Sequence, residues 1–369
     1  MKPLRVAVIG AGHLGRIHAR LAAGLEDIEL VAVADPVEAA RTSVAQEANT
    51  RAVADYRELI GEIEAAIVAT PTTYHHAVGM ELLGCGIPLL VEKPLALTAA
   101  EATDLVALAR KKGVTLQVGH VERFNPALTA VEADVRDPKY IEAHRTSGYT
   151  FRSTDIGVVM DIMIHDLDVV LSLAKSEVVE VQALGISVLG GHEDMATARL
   201  TFASGCVAQI SASRVSFQQR RTMSIFTSRG SASINFATHE ATIVKPSDEV
   251  LRREFRADQL NADERAYWKD HVFDQLLIRT ARDSKPINAI QEEQREFVNS
   301  VRTGAAPRVD GAAGRNAIAV AEMIIDRIEE HAWDGAAGGR HGALAMPALP
   351  VIAGSTHAGD DRTERRRAG

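Results

Sequence analysis

The sequence predicts a two-domain α/β protein: an N-terminal doubly wound parallel sheet, then a C-terminal α/β domain with a large open, mainly antiparallel sheet. Three observations carry that prediction. Short apolar runs alternate with stretches of helical length as far as residue 120, as in a parallel sheet with helices on both faces. Beyond it, successive segments alternate apolar and polar residues and are joined by short polar or glycine turns. The chain has 369 residues, enough for two domains. The expected boundaries are 1–121 and 122–333, followed by a tail over 334–369.

In chain order, LRVAVIG (4–10) reads as a buried strand and HLGRIHARLAAGL (13–25) as a helix. IELVAVAD (28–35) is a second strand. EAARTSVAQEA (38–48) is helical, and RAVADYRELI (51–60) leads through a short segment to another helix. AAIVAT (65–70) is a third strand, TTYHHAVGMELLGCG (72–86) a helix and IPLLVE (87–92) a fourth strand. A helix over 99–113 and strand TLQVG (115–119) complete the first domain. In the second, helix-like PALTAVEADV precedes strand YIEAHRTS (140–147), and a nearly apolar helix spans 158–174. Six strand-like segments follow, from VVEVQALGISVL to EATIVKP. Helices over 287–304 and 311–332 close the fold, the last expected to pack back near the first domain. The tail is rich in Ala, Gly and Pro without periodicity and reads as disordered.

Composition excludes some classes. The net charge of −8 lacks the basic balance of a nucleic-acid surface. No apolar run approaches the ~20 residues of a membrane span. The apolar start is too short for a signal peptide, and cleavage there would destroy a glycine loop. Cys85 and Cys206 lie far apart without metal-type spacing, which fits reduced thiols and a cytoplasmic setting.

Gly10, Gly12 and Gly15 give G-x-G-x-x-G directly between a strand and a helix. Gly10 allows the tight turn, Gly12 lets a diphosphate approach the backbone, and Gly15 lets helix and strand pack. The helix start, with His13 and Leu14, offers free N–H groups to the anion. Asp35 ends the second strand about twenty residues later, placed to accept both ribose hydroxyls of an adenosine. This is the Rossmann fingerprint. A carboxylate there repels a 2′-phosphate, and no arginine follows before Arg41, so the expected cofactor is NAD.

Ligands of such a sheet bind outside the carboxyl ends of its strands. Thr70 and Pro71 lie at one such end, Glu92 and Lys93 at another. Pro94 disfavours helix at Lys93 and so aims its ammonium at the nicotinamide end of a dinucleotide. The second constellation is GVVMDIMIHDLDVVLSL (157–173). At about 100° per residue, Asp161, His165, Asp168 and Ser172 fall on one stripe of an otherwise apolar helix. An Asp161–His165 pair at i, i+4 would hold one imidazole tautomer and leave the far nitrogen as a general base. Either aspartate could instead brace a neighbouring segment. No metal site is expected.

These pieces together resemble the Gfo/Idh/MocA oxidoreductases. The matching stretches are VAVIGAGHLGRIHA (6–19), ATPTTYHH (69–76), LVEKPLA (90–96), VGHVERFNPA (118–127) and DIMIHDLD (161–168), in the family's order. The resemblance implies that Lys93 polarises the reacting hydroxyl, His165 takes its proton, Asp161 orients the site, and hydride passes to the nicotinamide. Glu92 would brace the cofactor region, while Thr70, Pro71 and His75 line its groove. The open sheet of the second domain would form a homo-oligomer, dimer or tetramer. A narrower resemblance, in VGHVERFNPA, GVVMDIMIHDLD and SASRVS (211–216), is to the branch that oxidises C3 of UDP-N-acetylglucosamine to a ketone on the way to amide-linked lipid A. It makes Arg123, Asn125, Asp168 and Arg214 candidates for substrate contacts, with Arg152, Arg220 and Arg221 behind them. A polyol or free-sugar dehydrogenase, an enzyme that recycles its NAD internally and a non-catalytic NAD(H)-binding regulator are the alternatives.

Overall fold

A computed structural model describes residues 2–151, 155–284, 287–333 and 340–345. The tail beyond 345, the stretch 334–339 and Arg152 lie outside the described residues. The first domain is a six-stranded parallel sheet in the order β3-β2-β1-β4-β5-β6. Its strands are β1 (Leu4–Ile9), β2 (Ile28–Ala34), β3 (Arg51–Val53), β4 (Ala65–Val68), β5 (Leu89–Glu92) and β6 (Leu116–Gly119). Helices α1 (His13–Ala23), α2 (Glu38–Glu47), α3 (His75–Gly84) and α4 (Ala99–Lys112) cross between them. β4, β5 and β6 are buried at every residue, because helices cover both faces of a parallel sheet. The strand order reverses between β1 and β4, the crevice where such sheets bind ligands. RAVADYRELI yields the short strand β3 and a single helical turn at Tyr56–Leu59.

The second domain is an eight-stranded sheet in the order β14-β13-β12-β11-β7-β10-β9-β8. The strands are β7 (Pro138–Thr146), β8 (Val178–Ile186), β9 (Met195–Phe202), β10 (Val207–Ser213), β11 (Arg220–Thr227), β12 (Gly230–Asn235), β13 (Glu240–Pro246) and β14 (Leu277–Arg282). Only β7 and β10 pair in parallel; every other neighbour is antiparallel. Ile141, Ala143 and Arg145 of β7 are buried while their neighbours are only partly so, so one face of the sheet meets the helices. Of PALTAVEADV only α5 (Pro126–Thr129) is helical. The apolar helix begins with a π-type turn at Val159–Met163 and continues as α6 (Ile164–Ala174). Residues 247–284, for which the sequence suggested no element, hold α7 (Asp248–Leu251), α8 (Ala262–His271) and β14.

Two helices join the halves. α9 (Ala289–Thr303) buries Phe297 and Val298 against the core of the first domain. α10 (Gly311–Glu330) packs on α4 and β6 on one side and on α6 and β8 on the other. Residues 340–345, expected to belong to a disordered tail, are folded. Trp333 Nε1 donates to Gly342 O at 3.0 Å, Ser187 N donates to Ala343 O at 3.0 Å, and Ala343 is buried.

Candidate active site

The glycine loop is sterically specified. Gly10 has φ +103°, and a Cβ there would lie 2.5 Å from Ala69 O. A Cβ on Gly15 would lie 1.9 Å from Gly10 O, whereas a Cβ on Gly12 would meet nothing within 4 Å. The space in front of Gly12 is therefore open. α1 starts there without a side-chain cap, leaving the N–H groups around His13 and Leu14 to an anion. Asp35 Oδ2 accepts from Ala11 N at 2.8 Å and Oδ1 from Val37 N at 2.8 Å, so the carboxylate is fixed against the loop with lone pairs to spare. It borders a cavity of about 540 Å³ lined by Gly10, Asp35, Tyr56, Thr70, Pro71 and Tyr74, among others. Thr70 Oγ1 is buried there without a partner. Open glycine, oriented carboxylate and unsatisfied hydroxyl fit an adenine dinucleotide.

At the end of β4, His75 is not presented to the groove as expected. It is buried, and its ring nitrogens face Pro94 O at 2.8 Å and Thr70 O at 2.9 Å. Burial lowers its pKa, and a neutral ring, with a single N–H, can donate to only one of these two carbonyls at a time.

At the end of β5, Glu92 turns inward. Its Oε1 lies 2.7 Å from His18 Nε2, and its Oε2 accepts from Lys93 N at 3.2 Å. Burial would raise the Glu92 pKa, but the His18 hydrogen bond and charge, with Lys93, hold it below the usual value. His18 Nδ1 is 2.9 Å from Gln294 Nε2, so α9 fixes the ring from behind. The Lys93–Pro94 peptide is cis. Lys93 Nζ donates to Asp161 O at 2.7 Å and lies 3.3 Å from Asp161 Oδ1. An ammonium has three donors, so one remains for a substrate oxygen.

The second domain answers from α6. The expected Asp161–His165 pair does not form, since Asp161 is spent on Lys93 and His165 Nδ1 is buried without a partner. The reason is electrostatic: the Lys93 ammonium is a charged donor to Asp161, whereas the buried His165 ring is held toward its neutral form. Burial drives the His165 pKa well below its usual value, helped by Lys93, Arg145, His120 and Arg221. A neutral imidazole at neutral pH can accept a proton. Asp168 is buried, meets Arg123 Nη1 at 3.4 Å through Oδ1, and keeps Oδ2 unpartnered.

Two expected substrate contacts are committed elsewhere. Asn125 is buried; its Oδ1 caps α5 at Ala127 N, and its Nδ2 donates to Glu122 Oε2 at 3.0 Å and Phe236 O at 3.1 Å. Arg214 is buried, with Nε donating to Asp194 Oδ1 at 2.7 Å and Nη1 to Ile156 O at 2.8 Å. Arg123, besides meeting Asp168, donates to Arg308 O at 3.3 Å. Folding recruited these arginines and this amide as internal ties.

Other groups come to the site unannounced. His120, at the end of β6, is buried with both ring nitrogens unpartnered. Burial lowers its pKa; Asp168 and Glu92 oppose that, and Lys93 and Arg123 reinforce it. Glu293 of α9 is buried with both carboxylate oxygens unpartnered, and its ligand atoms lie within 4.8 Å of those of His18 and Glu92. Burial, then the charges of Glu92, Glu296 and Asp168, raise its pKa well above the usual value. The position of His120 just past β6 was a readable signal; α9 lies too far along the chain for its partners to be read.

Residues 4–120 match an oxidoreductase family with an NAD-binding Rossmann fold, and residues 127–233 match the GFO/IDH/MocA C-terminal domain. The chain is 33% identical over 327 residues to UDP-N-acetylglucosamine 3-dehydrogenase of Acidithiobacillus ferrooxidans, covering 88% of this chain and 97% of that one. A solved structure of that enzyme superposes with a TM-score of 0.77, covering 89% and 99% of the two chains. Inositol 2-dehydrogenase 1 of Saccharopolyspora erythraea is 35% identical over 190 residues, only 48% of this chain and 56% of that one. Levoglucosan dehydrogenase in complex with NADH and levoglucosan shares the fold, with a TM-score of 0.73 at 18% identity, covering 89% and 97%.

Proposed function

The chain belongs to the Gfo/Idh/MocA oxidoreductases, a family of NAD-dependent enzymes, and from that premise we propose that it oxidises C3 of UDP-N-acetylglucosamine to a ketone. The observation that carries the substrate is coverage. Likeness to the sugar-nucleotide dehydrogenase runs through both domains, whereas the likeness to inositol 2-dehydrogenase 1 spans about half of each chain.

NAD, when bound, supplies the acceptor for the hydride leaving the carbinol carbon. Gly10, Gly12 and Gly15 leave room for its diphosphate, and Asp35 takes the ribose hydroxyls. Lys93, held by Asp161, donates its remaining hydrogen bond to the reacting hydroxyl and stabilises negative charge on that oxygen. His165, kept neutral by burial and by the cations around it, takes the hydroxyl proton. Asp161 acts by positioning Lys93 rather than the imidazole.

A ketone at C3 is what an aminotransferase needs to install an amine, so the reaction fits a cytoplasmic supply of precursors for amide-linked lipid A. Among the described residues no helix is long and apolar enough to cross a membrane. The polar face of the second sheet, rich in Ser and Thr on β9, β10 and β11, is the surface on which a homodimer would form.

The test is NADH formation from UDP-N-acetylglucosamine with a ketone trap present, beside myo-inositol, glucose and NADP. Reduction of NAD by the sugar nucleotide alone is the expected result. Oxidation of inositol or a free sugar in its place refutes the substrate and keeps the family.

A further inference from the structure

The arginines that the sequence offered for a diphosphate are not equal once their partners are known. Arg214 is tied to Asp194, and Arg123 to Asp168 and Arg308. Arg145 is neutralised by Glu122 and Asp166. Arg220 pairs with Thr146, on the face of the sheet turned away from α6. Arg221 is different. It lies opposite Arg145 in the β7–β11 register, so its side chain leaves the sheet on the same face, toward α6. It is exposed and makes no side-chain hydrogen bond or ion pair among the described residues.

Two arginines directly opposite one another repel. Arg145 tolerates this because two carboxylates already compensate it. Glu122 and Asp166 are thereby spent on Arg145, and among the described residues no acid pairs with Arg221. Its charge is close enough to press on His165 and Asp166 of α6. An uncompensated guanidinium therefore lies on the sheet face turned toward α6, the helix that carries the proton acceptor. A planar fork of donors suits a diphosphate, which brings two or more anionic oxygens.

We propose that Arg221 is the anion-binding residue of the substrate site and takes the diphosphate of the sugar nucleotide while the sugar lies between Lys93 and His165. The inference rests on the function proposed above and deepens it, because it assigns the phosphates to a residue outside the cofactor loop. Arg221 sets affinity and leaves the chemical step to Lys93 and His165.

The experiment compares wild type with Arg221→Gln and Arg221→Lys, using UDP-N-acetylglucosamine as substrate and UDP as inhibitor, with NAD affinity measured separately. Loss of a charge-assisted hydrogen bond should raise KM for the sugar nucleotide roughly 10- to 100-fold and weaken UDP inhibition in parallel. kcat should change by less than about threefold, NAD affinity should hold, and Arg221→Lys should recover part of the loss. Wild-type KM and UDP inhibition in Arg221→Gln, in an enzyme that does use the sugar nucleotide, overturn this assignment alone. A wild-type enzyme that ignores the sugar nucleotide and oxidises a neutral polyol overturns the substrate reading and this inference together.

Discussion

Helix α6 feeds two buried polar clusters that treat charge in opposite ways. Asp166 accepts two hydrogen bonds from Arg145, Nε to Oδ2 at 3.0 Å and Nη2 to Oδ1 at 2.8 Å, while Arg145 Nη1 reaches Glu122 Oε1 at 2.7 Å. That cluster is closed and pins α6 to β7 and to the loop after β6. One residue earlier and two residues later, His165 and Asp168 keep buried atoms without partners, as does His120 beside them. Unpaired buried polar atoms cost free energy, and a fold retains several in one place only where something else completes them. The paired cluster is scaffold; the unpaired one offers the donors and acceptors that the proposed function assigns to substrate and cofactor.

The largest expected effect breaks the open cluster. Lys93→Ala and His165→Ala should each lower turnover on the order of 10²–10⁴-fold while leaving thermal stability and NAD affinity nearly as they were. Steady-state kinetics beside a calorimetric NAD titration checks this, and near-wild-type turnover in either variant sinks the role given to that residue. Next comes the closed cluster. Arg145→Leu leaves Glu122 and Asp166 buried and unpaired, which should cost about 3–5 kcal/mol in urea unfolding. A variant as stable as wild type would mean that the cluster holds nothing together.

The smallest effect sharpens the contrast at Glu293, a buried carboxyl with no partner. Its folded pKa is raised above the ordinary 4.5 by burial and by Glu92. The stability it contributes is therefore present below that ordinary value and lost as pH rises through the folded pKa. Glu293→Gln removes the group that must ionise in the interior, so its melting temperature should exceed that of wild type by about 2 °C near pH 8 and match it near pH 4. A pH-independent difference between the two proteins would refute the burial of a titrating carboxyl there.

The same contrast explains what could be read in advance. The glycine loop, Asp35 at the end of β2 and Lys93 at the end of β5 are legible because each depends on its neighbours in the chain: a strand, a turn, a helix start. His165 is legible as a residue but not by its partner. Regular helical spacing joined it to Asp161, but the ammonium of Lys93, 68 positions away, took Asp161 instead. Arg214 and Asn125 carried the right functional groups, yet the packing of β10 beside Asp194 and of α5 beside Phe236 used them internally.

The sequence by itself determined the parallel sheet, the cofactor loop and the lysine at its edge, because strand periodicity, glycine sterics and a proline after the lysine act over a few residues. Only the tertiary structure decided which charges are compensated. Partner choice for a buried ion depends on segments brought together from across the chain, and desolvation makes every unpaired choice costly. That selection closed Arg145, Arg214 and Asp161 and left His120, His165 and Arg221 open.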